Sequence, residues 1–299
     1  MKRVKIVPDR AVYSPGETLV GQVIVECDKT FSVNSVSIAL VCEERSIIEH
    51  GSGNNRHTHV DKTKHIDLLQ GLADACSIDP GVHAFDFAFR LPANLPATYH
   101  GPHGHVTYTL NARAERPLRL DLRCQLDVQI ESPVTYLSPK ACTGEVVDGE
   151  TRLLTVELSH DVLSPGEPFR LSIMSLTDTK MRGVRVEAIS KETVSPDGNF
   201  TETETVICGY FVDKSQLVYG TWVPVTLWMP RFAKGTVFRP SHLFPRPFES
   251  VHIKYEYLLK VTIDRPLRRD ASVFLPLRLG LVGSEEDFLE QARRAFEDQ

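Results

Sequence analysis

The amino-acid sequence predicts an all-β protein, two tandem immunoglobulin-like β-sandwiches followed by a short tail that reads as helical. Three observations point there. Apolar and polar residues alternate with a period of two in successive segments, proline and glycine cluster between those segments, and one turn motif recurs about half a chain later. Period-two alternation marks a strand with one face packed and one wet. Antiparallel sheets, unlike parallel ones, leave a face to water.

The strands follow in order. Val36, Ile38, Leu40 and Cys42 alternate with Ser35, Ser37, Ala39 and Val41. Phe85, Phe87, Phe89 and Leu91 share one face against Asp86, Ala88 and Arg90, and Val106, Tyr108, Leu110 and Ala112 share one against Thr107, Thr109, Asn111 and Arg113. Turn signals stand at Ser14-Pro15-Gly16, Asp79-Pro80-Gly81, Leu91-Pro92, Ser164-Pro165-Gly166 and Ser195-Pro196-Asp197-Gly198. Proline presets φ and glycine tolerates φ > 0, so these are turns with a stereochemical reason. Helical spacing appears in Glu285 to Phe296, where Phe288, Leu289, Ala292 and Phe296 would share a face behind a Ser284 cap.

The repeat sets the domain count. Tyr13-Ser14-Pro15-Gly16-Glu17 returns as Leu163-Ser164-Pro165-Gly166-Glu167, an offset of 165 − 15 = 150. Later, His105-Val106-Thr107-Tyr108 running to Arg116-Pro117 returns as His252-Ile253-Lys254-Tyr255 running to Arg265-Pro266. Two copies of one sandwich in series account for this. The boundary is expected near 138–150, a polar stretch without alternation, giving domains at 1–140 and 149–283 and an acidic tail at 284–299. A chain of 299 residues suits two domains of about 150 residues, each able to bury its own core without metal or disulfide.

Bulk properties exclude several function classes. Hydrophobic residues at 41% and charged residues at 24% are ordinary, and a net charge of −5 offers no broad attraction to a phosphate backbone, so nucleic acid is not expected as a partner. No stretch approaches the roughly 18 apolar residues of a membrane span, and Met1 to Pro8 lacks an apolar core for a leader. A cytoplasmic protein, peripheral at most to membranes, is expected. Six cysteines lie far apart without a C-x-x-C pair, and the sequon Asn199-Phe200-Thr201 would matter only in a secreted chain.

At this point an ordered series of motifs becomes specific. Tyr13 to Glu17 is followed by Val20-Gly21-Gln22-Val23, then Pro80-Gly81-Val82-His83 through Leu91-Pro92, then Leu95-Pro96-Ala97-Thr98-Tyr99-His100-Gly101-Pro102 into Val106-Thr107-Tyr108 and Arg116-Pro117. In this order the residues resemble the arrestin clan, and most closely the α-arrestins, over about 4–130 and more loosely over 150–282. The resemblance implies arrestin-like N and C domains hinged edge to edge and a non-catalytic adaptor or scaffold binding membrane-protein tails or trafficking and signalling partners. Many eukaryotic α-arrestins recruit ubiquitin ligases through P-P-x-Y motifs. The nearest string here is Pro133-Val134-Thr135-Tyr136, so recruitment by that route is not expected. A subunit resembling the retromer's arrestin-fold cargo subunit is the alternative among binding proteins.

No phosphate loop, dinucleotide fingerprint, H-E-x-x-H or G-x-S-x-G elbow occurs, so neither catalysis nor a cofactor is expected. His57 and His59, and the loop group His100, His103 and His105, raise a metal- or small-ligand-binding alternative without the supporting ligand spacing. Arginines are the better binding candidates. Arg113, Arg116, Arg119 and Arg123 form one basic run, and Arg265, Arg268, Arg269 and Arg278 a second. Guanidinium forks suit phosphate, carboxylate and anionic lipid heads. The tail carries Glu285, Glu286, Asp287, Glu290, Glu297 and Asp298 and is expected to compete for one such patch. The polar loop 51–57 is a contact candidate, and the Thr/Glu-rich stretch Phe200 to Val206 reads as an open edge strand or a wet hairpin.

Overall fold

The computed structural model describes residues 2–50, 57–133, 135–178, 180–231 and 244–283. The anticipated tail helix, the acidic tail and most of the 51–57 loop lie outside these residues. Two units emerge: Met1–Pro133 with Val194–Thr201 and Glu249–Ile253, and Val134–Thr193 with Glu202–Phe248 and Lys254–Gln299.

The strands of the first half are β1 (Lys2–Pro8), β2 (Val12–Tyr13), β3 (Thr18–Cys27), β4 (Phe31–Val33), β5 (Ser35–His50), β6 (His57–Ala73), β7 (Cys76–Ile78), β8 (Gly81–Arg90), β9 (Tyr99–His100), β10 (Gly104–Glu115) and β11 (Leu122–Ile130). One sheet runs β1-β3-β8, and a second runs β2-β11-β10-β5-β6 with β9 on β10. All pairings are antiparallel except that of β2 with β11. The alternation sorts side chains as expected. Val36, Ile38, Leu40, Cys42, Val106, Tyr108, Leu110 and Ala112 are buried, and Phe87, Phe89 and Leu91 join them from the other sheet. Each fully buried Leu or Val contributes about 1.5–3 kcal/mol, so no staple is required.

The second half contributes β12 (Tyr136–Leu137), β13 (Cys142–Asp148), β14 (Thr151–Leu158), β15 (Val162–Leu163), β16 (Pro168–Ser175), β17 (Gly183–Val194), β18 (Thr201–Asp213), β19 (Trp222–Trp228), β20 (Phe248–Glu249), β21 (Ile253–Asp264), β22 (Ala271–Leu279) and β23 (Leu281–Val282). Here β13-β14-β16-β19 form one sheet and β15-β22-β21-β17-β18 the other, with β20 on β21. Val156 and Ile173 from the first sheet share a core with Val186, Tyr257, Leu259 and Leu277 from the second. This second sheet repeats the first half's larger sheet strand for strand, down to the parallel two-residue strand at one end.

The repeat extends to single bonds. Glu17 N–H donates to Ser14 O at 3.1 Å, and Glu167 N–H donates to Ser164 O at 3.1 Å. Between them Gly16 and Gly166 take φ of 86° and 85°, a region in which Cβ is unwelcome. Tyr108 Oη donates to Pro96 O, and Tyr257 Oη donates to Pro245 O at 2.8 Å. Burial pushes the Tyr108 hydroxyl well above the usual phenol range, so it stays a donor.

Arg278, one of the basic residues marked in the sequence, is committed to the second half's structure. Its Nε and NH2 reach both Asp161 oxygens at 2.7 and 2.6 Å, and NH2 also donates to Ser138 O at 2.7 Å. This arginine holds the Asp161 carboxyl below the ordinary carboxylate range, against the opposing pull of partial burial. A carboxyl depressed in the folded state stabilises the fold above its unfolded value, and that contribution is lost as pH falls through the folded value. Asp161→Asn is therefore expected to lower stability by about 1–2 kcal/mol at neutral pH. Urea unfolding across pH should show the gap to wild type closing in acid; a gap independent of pH would contradict the assignment.

Candidate interaction surfaces

The two arginine runs occupy the same place in the two repeats, the hairpin between the last two long strands of the larger sheet. Arg116-Pro117-Leu118-Arg119-Leu120-Asp121 joins β10 to β11, and Arg265-Pro266-Leu267-Arg268-Arg269-Asp270 joins β21 to β22. Proline presets the entry to each turn. The closing acid then fixes the backbone: Arg116 N–H donates to Asp121 Oδ1 at 3.4 Å and Arg265 N–H to Asp270 Oδ1 at 3.1 Å. The leading guanidinium turns back in both, bonding Leu120 O in the first hairpin and Arg269 O in the second.

The candidate arginines thereby separate into two roles. Arg113 Nε donates to Asp121 Oδ2 at 2.8 Å, and Arg123 reaches the same oxygen at 3.2 Å. Partial burial would raise the Asp121 carboxyl, but Arg123, Arg113 and the Arg116 amide outweigh it and hold it low. In the second hairpin Arg185 plays this part, meeting Asp270 Oδ2 at 2.6 Å. Arg265 is 7% exposed and also bonds Asp148, so it is a buried brace and leaves the set of surface candidates. Arg119, Arg268 and Arg269 are exposed, and no ion pair holds their side chains among the described residues. These three keep the capacity to bind an outside anion.

Reading the sequence by charge missed the residues between these arginines. Leu118, Leu120 and Leu267 are almost wholly exposed, and Leu118 and Leu267 hold φ of 54° and 62°. The signal was present as a near-identical six-residue string at an offset of 267 − 118 = 149.

The histidines serve as hydrogen-bond partners. Glu44 points into the buried face of β5, where it accepts from His65 Nε2 at 2.6 Å and from the His252 amide at 2.7 Å, all within the first unit. His252 Nε2 lies 3.1 Å from Thr63 Oγ1, and His59 Nδ1 lies 3.4 Å from Asn199 Nδ2. His100 and His105 face each other across β9 and β10, with ring centroids 5.9 Å apart. Among the described residues no group of three or more His, Cys, Asp or Glu is placed to hold a metal ion, which leaves the metal-binding alternative without a site there. All six cysteines are free, and burial pushes the Cys42 thiol up to about 11, far from a reactive thiolate.

Of the two readings of Phe200 to Val206, Thr201 to Val206 belong to β18, which among the described residues ends its sheet with β17 on one side only. Val206, Tyr210 and Phe211 stand exposed on it, while Glu202 and Glu204 are held by Lys191 at 2.8 Å and Lys260 at 2.5 Å.

With this geometry in hand, the comparison with known families is direct. The family model of the arrestin (or S-antigen) N-terminal domain matches residues 3–136. This segment is similar to an arrestin N-terminal domain. The chain as a whole has the arrestin fold, two all-β sandwiches, as its motifs predict. It is similar to "Arrestin domain-containing protein 1" of Rattus norvegicus, 25% identical over 181 residues that cover 60% of this chain and 39% of that protein. The Homo sapiens protein of the same name is 27% identical over 179 residues, covering 58% and 37%. "Arrestin domain-containing protein 5" of Homo sapiens is 30% identical over 120 residues, covering 36% and 33%. The chain thus spans well under half the length of these relatives. No helix among the described residues is long and apolar enough to cross a membrane.

The division of the arginines has a direct check. Arg265→Ala removes a buried, bonded guanidinium and is expected to destabilise by about 2–3 kcal/mol, whereas Arg268→Ala should stay within about 0.5 kcal/mol of wild type. Thermal unfolding of both variants decides it; equal effects would show that the two arginines do not differ in role.

Proposed function

We propose that the chain is a non-catalytic, cytoplasmic adaptor that binds extended segments of other proteins, such as the cytosolic tails of membrane proteins, by adding them to an open strand edge. The observation that carries this reading is the arrestin N-terminal family match over residues 3–136. Proteins of that family are generally non-catalytic adaptors.

β18 supplies the edge best suited to the task. Among the described residues its outer backbone groups have no strand beside them, and a peptide that pairs there satisfies them while its alternate side chains meet apolar neighbours. Val206 and Tyr210 are exposed along the strand and offer that apolar contact. The Lys191 and Lys260 partners neutralise Glu202 and Glu204, which removes a repulsion that acidic tails would otherwise meet.

The test begins with capture of membrane-protein tails from detergent-solubilised membranes, followed by calorimetric titration of synthetic peptides from those tails. Val206→Lys and Tyr210→Lys are each expected to weaken peptide binding about tenfold with no loss of melting temperature. Unchanged affinity in both variants would rule out this edge, and failure of every tail peptide to bind would overturn the adaptor reading itself.

A further inference from the structure

The chain contains two tryptophans, and both stand on the outer face of the β13-β14-β16-β19 sheet. Trp222 and Trp228 lie on β19, 38% and 70% exposed, while Val225 and Leu227 between them are buried in the core. Strand alternation puts the exposed Pro224 on the same outer face. Register then sets half-buried Met174 of β16 beside Trp222. Tryptophan is highly buried on average in folded proteins, and its exposure here serves no packing within the sandwich itself.

Composition separates this face from ordinary solvated surface. The centres of protein interfaces are enriched in tryptophan, methionine and arginine and depleted in lysine. Trp222, Trp228, Met174 and Arg170 share this face, and no lysine occurs in β13, β14, β16 or β19. Pro224 sits in the strand that ends the sheet among the described residues, and it brings no N–H with which an added strand could pair. The face is therefore better suited to a partner than the edge.

Charge identifies the partner. Arg170 is exposed on β16, and Glu157 is exposed on β14, in register with Ser172, two residues from Arg170. Among the described residues neither is in an ion pair. Glu145, one row away, is already held by Arg152 at 3.1 Å. An unpaired cation and an unpaired anion on one apolar face match a second copy of that face turned about a two-fold, each Arg170 meeting the second copy's Glu157. A purely basic or purely acidic ligand would leave one of them without a partner.

We propose that the outer face of the β13-β14-β16-β19 sheet is a self-complementary interface through which two copies of this chain pair, with Trp222, Trp228 and Met174 as its apolar centre. Two sheets stacked face to face lie about 10 Å apart, a gap that indole side chains fill from both sides. The pairing stands without the adaptor reading. Its consequence rests on that reading: β18 belongs to the same unit as β19, so a pair carries two open edges and gains avidity for a ligand with two tails.

The test uses the whole chain in sedimentation equilibrium, with intrinsic fluorescence followed over the same concentrations. Because both tryptophans lie on the proposed interface, their emission reports on it alone. Wild type is expected to double in mass as concentration rises, with emission moving in step to shorter wavelength as the indoles leave water. Trp228→Glu should weaken pairing about thirtyfold and melt like wild type, since the side chain is mostly exposed in the single chain. Arg170→Glu and Glu157→Arg should each weaken it about tenfold. An equimolar mixture of these two should recover wild-type pairing, because each supplies the charge that the other lacks. A chain that stays monomeric at every concentration would overturn the proposal. So would a doubling that Trp228→Glu leaves intact, which would put the contact elsewhere, or a mixture of the charge reversals that regains nothing. Short-wavelength emission already present in the monomer would overturn it too, and would mean that another part of the chain covers the face.

Discussion

A tyrosine hydroxyl bonded to a proline carbonyl twelve residues upstream anchors each half of this protein. Tyr108 and Tyr257 sit on the central strands β10 and β21, fully buried, with the aromatic ring in the core and the hydroxyl tying the loop that arrives from the other sheet. The alternation that buries them also buries Val106, Leu110 and Ala112 beside Tyr108, and Leu259, Val261 and Ile263 beside Tyr257. Around these strands the larger sheet of each half is assembled in the same order. The hairpins that leave β10 and β21 therefore project from buried strands paired on both sides, and each holds a leucine with positive φ at its tip.

Much of the fold was legible because its determinants are local and periodic. A strand's buried face follows from every second residue, and a Pro-Gly turn follows from φ preferences, so the faces of β5, β8 and β10 and the turns at Gly16 and Gly166 could be read directly. The repeat was legible for the same reason. Partners brought together across the chain were not. Arg265 looks like any surface arginine until the fold sets Asp148 against it, 117 residues away in sequence, and nothing local pairs Glu44 with His65 and the His252 amide, which meet it in the fold. Pattern assigns β5 a buried face, but nothing local says that a carboxylate on that face will find its donors.

The same limit explains the candidate site. Counting charge found both arginine runs yet could not divide them, since a guanidinium that braces a turn and one that faces water have the same letter. The structure divides them by their acids: Asp121, Asp270 and Asp148 claim Arg113, Arg123, Arg185 and Arg265, and leave Arg119, Arg268 and Arg269 outward. The exposed leucines between them escaped a search for charge and chemistry because a single apolar surface residue is ordinary. Only its backbone angle and its repetition make it informative. What the sandwiches leave uncovered among the described residues includes an open edge on β18 and two charged apolar tips.

Hydrogen exchange on the isolated chain tests most directly whether these tips are held by a rigid base and left open. The account predicts slow exchange throughout β10, β11, β21 and β22, set by opening of the whole half, with fast exchange confined to Leu118–Leu120 and Leu267–Arg269. Protection of either tip in the absence of any ligand would contradict it, because some other part of the chain would then already cover the surface.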